Sequence, residues 1–171
     1  MRFAVALGLA VLASQGAADT ENVDLGCVPH FALSSEVAPP ELAVIARNCL
    51  EDGVYGNAWA VWMQFEAYAA YDIVRVNDPA GHRVIEDIYS WSFISHDRKT
   101  MEELRAIVEL FEAPGSPALE AVCEELRAKG PPSYVPAYML AVAPSKAGGV
   151  ELDAVAAWES ALQARAGCPG A

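Results

Sequence analysis

The stretch from Ala58 to Val76 constrains this chain more than any other. Trp59, Val61, Trp62, Met63, Phe65, Tyr68, Tyr71, Ile73 and Val74 fall within it, and only Gln64, Glu66, Asp72 and Arg75 interrupt the apolar run. A helix that is apolar almost all round has to be enclosed by other helices or by lipid. Lipid is excluded, because each charge near a bilayer centre costs about 2.5 kcal/mol or more. The run is therefore expected to be the buried central helix of a helical domain, with Asn57 as its N-cap.

The flanking sequence supplies the enclosing helices. Pro39-Pro40 opens one in which Leu42, Ile45, Ala46 and Cys49 form a single stripe, and Asp52-Gly53 ends it. After Asn77-Asp78-Pro79 a short helix over residues 80–90 turns Val84, Ile85 and Ile88 inward, and Trp91 to Ile94 reads as an extended connector. Thr100 and Glu103 form a capping box for a helix reaching Phe111, with Met101, Leu104, Ile107, Val108 and Phe111 as its stripe. Ser116-Pro117 begins a helix to Ala128 that presents Leu119, Val122, Cys123 and Leu126. Tyr134 to Val142 is a short helix, and Pro144 to Gly149 is a loop. Asp153 caps a last helix to Arg165, with Val155, Trp158 and Leu162 inward. No alternating run is bounded by hairpin turns. The expected fold class is all-α, with six or seven helices packed as helical hairpins in one domain over residues 19–171.

Residues 1–18 have the organisation of a signal peptide. Arg2 precedes an apolar run from Phe3 to Ala13, too short to span a bilayer, and Gly16 and Ala18 suit cleavage after Ala18. The expectation is a soluble periplasmic or secreted protein. Four cysteines remain, Cys27, Cys49, Cys123 and Cys168. An even number in an oxidising compartment implies two disulfides, and the absence of close pairs argues against zinc. Three connectivities are open: the sequential one (Cys27–Cys49 with Cys123–Cys168), which is favoured, then the nested and the crossed.

Residues 135–167 read VPAYMLAVAPSKAGGVELDAVAAWESALQARAG. Gly148, Gly149, Val150 and Asp153 look like an interhelical turn, and Ala157, Trp158 and Ala161 like the second helix of a hairpin. This resembles a Sel1-like repeat, a relative of the tetratricopeptide repeat. Residues 42–71 carry a fainter copy at Gly53, Tyr55, Ala58, Trp62 and Ala67. The resemblance implies stacked hairpins and a protein-binding groove.

Composition narrows the function. Against 11 Lys+Arg stand 23 Asp+Glu, a net charge of -12. Such a surface repels nucleic acid and anionic membranes and suits a basic protein partner. No nucleophile elbow, phosphate loop, dinucleotide fingerprint or haem-attachment motif occurs. No metal site, cofactor or catalytic residue is therefore expected. The polar residues that could line a cleft are Glu66, Asp72 and Arg75 on the central helix, with His82 and Glu86 at i, i+4 on the next. Tyr134 and Tyr138, in a segment with three prolines, form a candidate recognition ridge. The reading is a non-enzymatic protein-interaction domain, either a scaffold or envelope factor or an immunity-type inhibitor of a basic partner. The alternative is a small hydrolase or ligand-binding protein with a polar cleft around Asp72 and Arg75.

Overall fold

In the computed structural model, seven helices and one 3-10 turn (His30–Ala32) account for the regular structure of the described residues, 25–94, 96–143 and 152–170. The leader and the Pro144–Gly149 loop, with Gly148, Gly149 and Val150 of the repeat-like turn, lie outside them. Helix α1 spans Pro39–Glu51 and α2 spans Tyr55–Val76. Two prolines suit the first turn of α1, and the Glu41 carboxylate reaches back to accept from the N–H of Ala38 at 2.7 Å. Leu42, Ile45, Ala46 and Cys49 are all buried, as their spacing predicts. Gly53, with φ +73°, makes the sharp reversal to α2. So short a connection holds α1 and α2 as an antiparallel hairpin, and theirs is the most extensive contact in the fold.

Helix α2 is the central element. It packs against α1, α3 (Pro79–Phe93), α4 (Arg98–Phe111), α5 (Pro117–Lys129) and α7 (Ala154–Ala164). The main core joins Leu42, Ile45, Phe65 and Tyr68 to Val122, Leu126, Trp158 and Leu162. A smaller core of Val76, Met139 and Ala143 lies where α3 meets the one-turn helix α6 (Ala137–Leu140). Gly81 allows that approach, since a Cβ there would stand 3.2 Å from Met139.

Five local expectations are corrected. Asn57 lies inside α2 and not at its cap; its side chain bonds instead to the N-terminal arm, residues 25–38, at the His30 N–H and the Val28 carbonyl. Trp91 to Phe93 is helical, the last turn of α3, because Tyr89 and Phe93 pack on Trp62 in helical register. Helix α4 is capped by Asp97, which accepts the Thr100 N–H at 2.8 Å, so the Thr100–Glu103 box is not the cap. The expected helix over Tyr134–Val142 shrinks to one turn, since Pro136 precedes it. Val155 is 74% exposed, because α7 buries Trp158, Ala161 and Leu162 along a stripe that misses it.

The cysteines pair sequentially, Cys27 with Cys49 and Cys123 with Cys168. Among the described residues no helix is long and apolar enough to cross a membrane.

Candidate functional site

Helix α2 carries the charged residues from which a site could be built, and the fold separates them. Asp72 is 0% exposed. Arg75, one turn on, holds it with two nitrogens at 2.7 Å, and the hydroxyls of Tyr134 and Tyr138 donate to its other oxygen at 3.0 and 2.5 Å. Arg75 also donates to the Tyr134 carbonyl at 2.8 Å and lies over the Tyr134 ring. Burial pushes the Asp72 carboxyl up, and Arg75 and the two hydroxyls oppose that push. Burial and the facing carboxylate push both phenols well above their usual range. Tyr134 and Tyr138, both half-buried, therefore turn their hydroxyls inward onto Asp72. A carboxylate saturated this way lacks the free lone pairs a general base needs.

Glu66, His82 and Glu86 gather elsewhere. They line a shallow cavity of about 470 Å³ between α2 and α3, with Arg165 at its edge. His82 Nε2 donates to the Ile73 carbonyl at 3.2 Å. Burial pushes the Glu66 carboxyl up, while Arg165 and the Trp62 indole draw it down. Among the described residues no group of three or more histidines, cysteines or carboxylates could hold a metal ion. The five cleft candidates thus form two sites, not one.

The larger opening was not anticipated. A cleft of about 510 Å³ runs between α1, α2, α3 and α4. Its wall is aromatic and apolar: Trp59, Trp62, Tyr89, Phe93, Met101, Leu104 and Val108. Trp62 meets the rings of Phe65, Tyr89 and Phe93 at centroid distances of 4.3, 5.2 and 4.7 Å. Arg47, Arg105 and Glu112 are its charged margin. The Trp59 indole N–H donates to Glu112 at 3.0 Å. Helix α4 has no fully buried residue, so its stripe lies over the cleft without sealing it. The sequence signal for this cleft is the helical register of Tyr89 and Phe93, which an extended Trp91 to Ile94 connector would break.

His30 was also missed as a constructed position. It is 4% exposed, with Nδ1 3.1 Å from Glu125 and its backbone N–H donating to Asn57 at 2.8 Å. Lys129 donates to the His30 carbonyl at 2.8 Å and to Gln64 at 3.2 Å, and pairs with Glu125 at 2.7 Å. Burial, then the Lys129 charge, lower the imidazole pKa to about 4, against the pull of Glu125. The unfolded chain therefore takes up this proton first. The stability contributed by neutral His30 is complete above pH 6.5 and is lost as pH falls towards 4, by about 3 kcal/mol. Asp72 and Glu66, whose carboxyls are raised, slope the other way. The measurement is thus the difference between wild type and His30→Gln in urea midpoints across that window, and the expected difference narrows at low pH.

No family model, curated protein or solved structure matches this chain.

Proposed function

We propose that this chain is an exported, non-enzymatic protein-interaction domain whose partner is basic. The observation that carries this is the contrast between its inner and outer charges. Inside, Asp72 is tied to Arg75, Glu125 to Lys129, and all four cysteines are oxidised. Outside, Glu86, Asp87, Glu103, Glu109, Glu120 and Glu124 on α3, α4 and α5 are exposed and have no ion-pair partner among the described residues. Unpaired surface charge is thus mainly acidic, with Arg83, Lys99, Arg105 and Arg165 the exposed bases that lack an ion pair among the described residues. Such a surface accelerates capture of an oppositely charged protein. Two disulfides and the leader-like residues 1–18 support an oxidising compartment, most simply the periplasm. An immunity-type inhibitor of a basic toxin is the sharper form of this reading, and an envelope scaffold the broader. Neither depends on the repeat resemblance.

The test is affinity capture from the periplasm with oxidised residues 19–171, followed by association kinetics with the retained protein. The on-rate is expected to fall at least about tenfold as salt rises from about 10 to 150 mM, where the Debye length contracts to about 8 Å. Charge reversal at Glu103, Glu109, Glu120 and Glu124 should give the same loss at low salt. A salt-independent on-rate, or retention of no protein, removes this reading.

A further inference from the structure

The cleft between α1, α2, α3 and α4 has a margin more specific than its apolar wall. Arg47 is already engaged: it pairs with Glu51 at 3.1 Å and lies over the Trp91 ring at 4.7 Å. The Ser92 hydroxyl donates to the Ile88 carbonyl at 2.8 Å. That leaves two charged lining groups with unused capacity, beside the hydroxyl of half-exposed Tyr89. Arg105 is exposed and has no ion-pair or hydrogen-bond partner among the described residues. Glu112 accepts only the Trp59 indole N–H, which leaves its second oxygen open. The cleft therefore offers one cationic donor, one anionic acceptor and an aromatic wall between α2 and α4.

Arg105 and Glu112 are seven residues apart, the last at the C-cap of α4. Seven residues of helix make two turns on one face, a rise of about 10 Å. A ligand using both charges carries a carboxylate and an ammonium separated by about that length. Three extended residues span about 10–11 Å. A volume of about 510 Å³ is within the range of sites that enclose small ligands. We propose that the cleft binds a short apolar peptide with free ends, its carboxylate on Arg105, its ammonium on Glu112 and its side chains against Trp59 and Trp62. This site is separate from the acidic outer face and does not depend on the proposed protein partner.

The experiment titrates the oxidised protein with trileucine, its N-acetyl form, its C-amide form and triserine, read by tryptophan fluorescence and calorimetry. Trileucine is expected to bind and to shift the emission of Trp59 and Trp62. Each capping is expected to weaken binding about tenfold or more, the loss of one charge-assisted contact. Arg105→Gln should erase the penalty for the amide and leave that for the acetyl group. Glu112→Gln, which still accepts from Trp59, should do the reverse. Both positions are exposed, so the variants are expected to melt with the wild type. Equal binding of capped and free trileucine overturns the proposal, because the cleft would then be reading apolar bulk alone. So does failure of trileucine to bind, or binding of triserine as tight. A cap penalty that persists in its own variant overturns the assignment of that end.

Discussion

Asp72→Ala is expected to destabilise the fold by about 3–5 kcal/mol, the range for removing one partner of a buried ion pair. The alanine would leave the Arg75 guanidinium and two inward tyrosine hydroxyls without the acceptor that now satisfies all three. For a chain of this size, each kcal/mol moves the melting midpoint by about 2–4 °C, so the shift should reach about 10 °C. Arg75→Met is the complementary experiment, and its cost depends on pH. Burial already raises the Asp72 carboxyl, and Arg75 is the strongest influence holding it down. Without Arg75, the folded state favours the protonated acid still more. The variant should be most stable below the ordinary carboxylate pKa and lose stability as pH rises through the higher folded value. Thermal melts of both variants across pH check the pair. A cost under about 1 kcal/mol for Asp72→Ala would mean that water reaches this carboxylate, and would favour the catalytic alternative.

The same cluster shows what one sequence can and cannot disclose. That Asp72 and Arg75 would pair was legible, because i, i+3 spacing on a helix brings them together and burial demands a partner. That Tyr134 and Tyr138 complete the pair was not. They lie more than sixty positions away in the chain, and their proximity depends on how α6 docks beside α3. Helix existence was legible from Leu42, Ile45, Ala46 and Cys49, whose burial follows from period alone. Helix ends were less so. Thr100 and Glu103 have the spacing of a capping box, yet Asp97 caps the helix, and Asn57 has the side chain of a cap, yet its amide serves the arm at the Val28 carbonyl, 2.8 Å away. The register of Tyr89 and Phe93 records one wall of the cleft; the cavity itself is a property of several faces at once, and no single stripe records it. His30 looks like an isolated polar residue in sequence; the Cys27–Cys49 bridge and the Asn57 side chain fasten its segment, where it meets Glu125 and Lys129.

Reduction of both disulfides is expected to have the largest effect of all. On the chain-entropy scale, a bridge between cysteines 22 positions apart contributes about 3 kcal/mol, and one between cysteines 45 apart about 4. Their combined loss is comparable to the whole stability of a domain this size, so the reduced chain should lose cooperative melting. The two bridges should fail differently. Cys27–Cys49 fastens the arm to α1, assisted by the Asn57 amide at the Val28 carbonyl. Replacing both with alanine should loosen the arm first, seen as faster amide exchange at residues 30–33. The His30 share of the pH dependence should vanish with it, because an imidazole that has left the core titrates normally. Cys123–Cys168 joins α5 to the segment after α7, where Arg127 also donates to the Pro169 carbonyl and faces Glu159 at 3.4 Å. That half-buried pair, at 3.4 Å, is worth little by comparison. Without the bridge, α7 is held mainly by the burial of Trp158, Ala161 and Leu162, on the same core that encloses α2. Loss of this bridge should therefore lower global stability and leave the His30 difference intact. A reduced protein that melts within a few degrees of the oxidised one would mean that the helical core suffices alone and that neither bridge closes a costly loop.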